Sequence, residues 1–169
     1  MTIGIHRLLL HMGWANRFAL QHLKSLPDDA LEAFATNAEW TVAEIIHHMV
    51  DSADFYYYRI TGEWADVPGD EITKPASVED LDLLAEQCEA IDRALVECAN
   101  LDDVKIQFER DDGEVVRRWR STILSQTIHH ATEHRAQIAA ALEARGFNTI
   151  ALDDIDLWGY EIETESGFD

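Results

Sequence analysis

Basic residues are scarce in this chain. Thirteen Lys and Arg stand against 33 Asp and Glu, a formal net charge of −20. Such a surface repels a phosphate backbone and an anionic membrane alike, so nucleic-acid and membrane partners are not expected. The densest basic cluster, Arg117, Arg118 and Arg120, follows directly on Glu109, Asp111, Asp112 and Glu114. Cysteine is scarce too. Cys88 and Cys98 sit in a stretch that reads as helix, where their spacing puts them about 15 Å apart. They cannot bridge each other and lack the close spacing of a zinc pair. We expect buried free thiols and a reducing, cytoplasmic setting. No apolar run approaches the roughly 18 residues of a membrane span, and no basic stretch followed by an apolar run marks a secretion signal. The three prolines, Pro27, Pro68 and Pro75, all fall outside the periodic stretches.

What is present is enough for one domain over residues 1–169. With 47% hydrophobic residues it can bury a core without disulfide or metal staples. Ile5, Leu8, Leu9, Met12, Phe18 and Leu23 recur mostly at three- and four-residue steps and predict a first helix over Ile3–Ser25. Leu26-Pro27-Asp28-Asp29 breaks it. Thr41 with Glu44 three residues later is a capping-box pattern opening a second helix, which runs to Ile60 and stops at Thr61-Gly62. Segment 62–76 reads as loop. Ser77, with Asp80 three residues on, opens a third helix reaching Ala99. The period then changes to alternation. Val104, Ile106 and Phe108 lead to Asp111-Asp112-Gly113, and Val115, Val116 and Trp119 follow, a short β-hairpin that must pack on the helices. A fourth helix runs from Ser121 to Arg145 and ends at Gly146. The tail, 148–169, carries Trp158, Tyr160 and Phe168 and reads as partly docked and partly irregular. The expected fold is all-α, a four-helix bundle with a short β-hairpin between helices three and four.

Five of the eight histidines fall in two adjacent pairs and a near neighbour: His47 and His48, His129 and His130, and His134. His6, His11 and His22 stand alone and read as solvated or hydrogen-bonded. His130 and His134 are one turn apart, so their imidazoles lie on one face and can share a metal. Ile123, Leu124, Ile128, Ala131, Ile138 and Leu142 define the apolar stripe of that helix. Measured from Ile123, its centre lies at roughly 80°, His134 at about 20° and His130 at about 340°, both on one edge. Gln137, at about 320°, continues the row, whereas His129, at about 240°, faces away. On the second helix, His47 and His48 fall on opposite flanks of the stripe set by Val42, Ile45, Ile46, Met49, Ala53, Tyr56 and Ile60. The flank shared with Ser52 and Phe55 favours His48 as the inward residue. From spacing alone the inward pair is either metal-binding or hydrogen-bonded core histidine. The zincin order is wrong, because Glu133 directly precedes His134 instead of following the first histidine. Only one Glu-x-x-His, Glu44 to His47, exists where a di-iron bundle needs two. Phosphate-binding glycine loops and nucleophile elbows are absent.

Three segments in order resemble the DinB superfamily, also called DinB/YfiT-like metalloproteins. They are Trp14-Ala15-Asn16-Arg17 followed by Leu26-Pro27-Asp28-Asp29; Trp40 through His48 to Asp54; and His130-Ala-Thr-Glu-His134-Arg135-Ala136-Gln137, similar to the family's H-x-x-x-H-R-G-Q. The likeness covers about residues 3–160. Ala136 departs from it, standing where glycine is usual. The resemblance implies a four-helix bundle holding a divalent metal through three histidines, by position His48, His130 and His134. It implies a metal-dependent thiol S-transferase, joining a low-molecular-weight thiol such as bacillithiol or mycothiol to a small electrophile, or a thiol-dependent isomerase of the maleylpyruvate type. The alternative is a non-catalytic metal-binding bundle associated with stress or detoxification. The expected cofactors are one divalent ion, zinc or nickel foremost, and a low-molecular-weight thiol. The expected partners are a small-molecule substrate and, by resemblance, a second copy in a homodimer.

Overall fold

A computed structural model describes residues 4–110 and 112–164. Three expectations, Ile3 as a helix start, Asp111 in the hairpin turn and Phe168 in the tail, lie outside the described residues. The chain is mostly helical. Its five α-helices are α1 (His6–Lys24), α2 (Val42–Thr61), α3 (Leu81–Cys98), α4 (Arg120–Ala144) and α5 (Leu157–Thr164). Strands β1 (Lys105–Glu109) and β2 (Val115–Trp119) form an antiparallel hairpin between α3 and α4. Periodicity predicts four of these helices. The fifth lies in the tail, where an eight-residue element without a single buried residue leaves no periodic pattern to read.

The four long helices bury their apolar stripes in one continuous core, with Leu9, Met12, Ile45, Ile46, Met49, Leu84, Ile91, Leu95, Ile138 and Leu142 at its centre. α1 packs on α3 and α4, and α2 packs on α4 and α3. Gly13 permits the close approach of α1 to α3, since a Cβ there would lie 3.3 Å from that of Asp92. Cys88 and Cys98 are buried and free. Among the described residues no helix is long and apolar enough to cross a membrane.

Helix ends follow local chemistry. The Glu44 amide donates to Thr41 Oγ1 at 3.3 Å, which is half of the capping box. The Glu44 carboxylate does not turn back but pairs with Lys74 at 2.6 Å. α2 ends at Gly62, whose φ of 85° is the left-handed cap that glycine adopts without strain. α3 starts four residues later than the Ser77 pattern suggests. The Asp80 carboxylate accepts the Ala76 and Ser77 amides, holding a turn ahead of the helix instead of a cap at Ser77. The first turn of α4 is held from outside, the Ser121 amide donating to Asp103 Oδ1 at 3.0 Å.

Segment 62–76 is a loop held at both sides. His47 Nε2 donates to Ile72 O at 3.2 Å, the Ala65 amide donates to Asp54 Oδ1 at 2.9 Å, and Gln87 Nε2 donates to Pro68 O and Glu71 O. The tail is docked by the histidines that looked unremarkable. His22 Nε2 donates to Asn148 O and His11 Nε2 to Ile155 O, both at 2.9 Å, and Tyr160 packs on Trp14 with centroids 5.5 Å apart.

Candidate metal centre

α2 and α4 pack side by side, and their inward edges bring His48 against His130 and His134. His130 Nε2 lies 3.2 Å from His48 Nε2 and 3.0 Å from His134 Nε2. Two imidazole nitrogens bound at about 2.1 Å to one tetrahedral ion lie about 3.4 Å apart, so the three converge to nearly the spacing that a shared ion requires. These histidines form a group that can hold a metal ion. His134 is buried, His48 and His130 are half-buried, and His129 is exposed, as the helical wheel requires. His47 turns away to the loop backbone, which separates the adjacent pair into two jobs.

The surroundings fix which nitrogen of His134 is free. Gln137 Oε1 accepts from Trp40 Nε1 at 2.9 Å and lies 3.0 Å from His134 Nδ1. An amide oxygen already accepting one bond accepts the second as well. The proton therefore sits on His134 Nδ1, and the Nε2 lone pair is aimed at the other two rings. Trp40 also packs on the His48 ring at 5.4 Å and the His134 ring at 5.9 Å. Tyr56 presents an edge contact to His130 at 5.6 Å. The cluster is walled by aromatic surface on two sides.

That wall affects protonation. Burial lowers the His130 pKa to about 4, helped by the charges His134 and His48 would carry. Burial also lowers His48, with His134 next in effect. Neutral imidazole is the form that binds a metal, so the pocket holds these two rings in the ligating state.

Behind the histidines lies a second buried cluster that the helical wheel did not expose. Arg135, 3% exposed, donates from Nη1 to Asn16 Oδ1 at 2.5 Å and from Nη2 to Thr132 Oγ1 at 3.0 Å. Asn16 Nδ2 donates on to Asp92 Oδ2 at 3.1 Å, and Cys88 Sγ donates to the same carboxylate at 3.5 Å. One sequence feature pointed to it. Asp92 falls four residues after Cys88, within the apolar period Leu84, Cys88, Ile91 and Leu95, so an acid was bound to face inward and to need a partner.

A DinB-like protein from Bacillus cereus ATCC 10987, known from a crystal structure, is similar in fold. Its TM-score is 0.66 at 19% sequence identity, with 89% of this chain and 99% of that chain covered. No curated protein sequence matches the chain. The family model described as the DinB family matches residues 1–163. A match over so much of the sequence, on a helical fold shared with a DinB-like protein, shows that this chain belongs to the DinB family.

Proposed function

We propose that His48, His130 and His134 bind one divalent ion, zinc or nickel, through their Nε2 atoms, and that the protein is a thiol-dependent transferase or isomerase acting on small electrophiles. The observation that carries this reading is the convergence of three imidazoles, with the Nε2 atoms of His48 and His134 at 3.2 Å and 3.0 Å from that of His130. Three neutral ligands leave a position open, the mark of catalytic rather than structural sites. An ion held there supplies positive charge that favours a neighbouring thiolate over its thiol.

The chain's own residues do the rest. Gln137 and Trp40 hold the His134 ring in its ligating tautomer. Trp40 and Tyr56 shield the cluster, which strengthens electrostatic interactions by excluding water. Cys88 supplies no nucleophile, because burial and the Asp92 carboxylate raise its thiol well above its ordinary value. Cys98 is buried too, and burial raises its thiol as well, so on this reading the reacting thiol is a separate small molecule. Pairing of two copies as a homodimer is part of the same proposal and rests on the family resemblance.

The test pairs elemental analysis with turnover. The purified protein is expected to carry one divalent ion per chain. It is expected to consume a model electrophile with at least one of several low-molecular-weight thiols, and to stop when a chelator is added. Metal at stoichiometry with no consumption for any thiol supports the non-catalytic alternative. Metal retained by His134→Ala overturns the ligand assignment.

A further inference from the structure

A cavity of about 550 Å³ opens beside the histidine cluster, between α2, the hairpin and α4. Its relation to the cluster is set by helix periodicity. Along α2 one row runs His48, Ser52, Tyr56, Arg59. Along α4 a row runs back from His130 through Gln126 to Thr122, one turn per step. Tyr56 joins the two spaces, with its ring edge on His130 and its side chain in the cavity lining together with Gln126.

The hairpin forms the outer wall, and its pleat decides which side chains it contributes. Phe108 pairs with Val116 and Ile106 with Arg118, so these four share one face while Gln107 and Arg117 share the other. Val116 is buried, so this face is the inner one, and Arg118 stands on it at the cavity mouth.

The cavity's charge is opposite to that of the protein. Arg59, Arg110 and Arg118 line it with one carboxylate, Asp112, in a chain of net charge −20. Arg110 is committed to Glu114 at 3.0 Å and lies 3.8 Å from Asp112. Among the described residues, Arg59 and Arg118 make no ion pair. Arg59 is nonetheless held firmly. Its guanidinium lies over the Phe55 ring at 4.3 Å and the Phe108 ring at 4.5 Å, and Nη1 donates to Glu109 O at 2.6 Å. Its Nε is buried without a partner. An oriented guanidinium without a carboxylate partner, and a second guanidinium on the facing strand, match the planar geometry of a carboxylate. The aromatic rings beside them match an apolar body.

We propose that this cavity binds the carboxylate of an organic acid reactant, with Arg59 and Arg118 as the carboxylate-binding residues and Phe55, Tyr56 and Phe108 against its hydrocarbon. Helix rise places Gln126 about 6 Å and Thr122 about 12 Å from His130 along the axis. The carboxylate and the reacting atom are then on the order of 10 Å apart. A reactant of that length is an acid with a chain of several carbons or an aromatic ring, not a short diacid. This distance rests on the histidine cluster being the reactive centre; the carboxylate site itself does not.

Binding is measured by calorimetry on the metal-free and metal-loaded protein, with no turnover required. One pair of probes is 4-phenylbutyrate and its amide. The other is 6-mercaptohexanoate and 6-mercaptohexanol. The acid is expected to bind at least tenfold more tightly than its neutral counterpart in one pair or both. Preference confined to the thiol pair assigns the carboxylate to the thiol, and preference confined to the phenyl pair assigns it to the electrophile. Arg59→Gln and Arg118→Gln are each expected to remove the preference, while Arg93→Gln, paired with Glu89 on α3, keeps it. Arg59→Lys, which retains charge and stem, is expected to bind the acid with intermediate affinity and guards against a folding defect in the glutamine variant. No preference in either pair, or a preference that survives both glutamine variants, overturns the proposal. Acid preference in protein that binds no metal leaves the carboxylate site standing and removes the metal reading alone.

Discussion

Arg135 and Asn16, 119 positions apart in sequence, meet in the core through a 2.5 Å hydrogen bond from Arg135 Nη1 to Asn16 Oδ1. Asn16 turns this into a relay by donating its own amide to Asp92. A buried cation and a buried carboxylate are thereby connected without touching. Arg135 directly follows His134, so the relay fixes the rotation of α4 that aims His134 at its neighbours. Asn16→Ala removes both bonds and leaves two buried polar groups short of partners. The expected loss is ~3 kcal/mol in urea unfolding. A variant as stable as the parent would show that the relay contributes nothing.

Asp92 itself titrates in an unusual range. Burial raises it from 3.8 to about 6, against the opposing pull of the Asn16 and Cys88 hydrogen bonds and Arg135. The native state therefore holds this proton more tightly than the unfolded chain does. The corresponding stability is fully present below pH 3.8 and is lost as pH rises through about 6. Asp92→Asn lacks that titration. Stability of the parent relative to Asp92→Asn is expected to fall by on the order of 2 kcal/mol between pH 4 and pH 7. A difference that does not change with pH would place the ionisation elsewhere.

Gln137 faces solvent in part, yet its oxygen serves both Trp40 Nε1 and His134 Nδ1. Gln137→Ala leaves both donors without an acceptor and frees the His134 ring to turn or change tautomer. Metal affinity is expected to fall about 10–100-fold, the usual effect of removing a ligand's supporting hydrogen bond. Far-ultraviolet circular dichroism should be unchanged. Competition against a chromophoric chelator measures this directly, and an unaltered affinity would mean that packing alone orients the ring.

Much of this arrangement was legible in the residues, and the limits have physical reasons. Periodicity places His130 and His134 inward and His129 outward, because a 25-residue helix averages out local irregularity. It favours His48 over His47 only by the flank shared with Ser52 and Phe55, since both sit off the stripe and each finds a different neighbour. Which helix faces which is set by topology, so the partnership of Arg135 with Asn16 and Asp92 was out of reach of any window along the chain. The hairpin was readable as a hairpin. Its role as a cavity wall was not, because Arg118 belongs to a basic cluster that alternation splits between two faces. Helix α5 was missed because it is short and exposed. It is held instead by Tyr160 against Trp14 and His11, and by the Gly159 amide donating to Asp156 Oδ1 at 2.7 Å.

The histidine cluster makes acid the condition under which metal and fold part company. In the metal-free protein His130 is pushed down to about 4 from an ordinary 6.5, so the native state resists its protonation and the unfolded chain does not. Its contribution to stability is present above pH 6.5 and is lost as pH falls through about 4. His48 shifts in the same direction. Protons compete with metal for all three rings, so bound metal is expected to fall steeply below about pH 6. The fold should outlast it, because the core that joins the four long helices is apolar and needs no ion. Chelation at pH 7.5 should lower the melting temperature and leave the helical circular dichroism intact. In metal-free protein, His130→Gln should flatten the loss of stability between pH 6.5 and pH 4. A random-coil spectrum after chelation would make the metal structural. An unchanged acid slope in His130→Gln would mean that another group carries the titration.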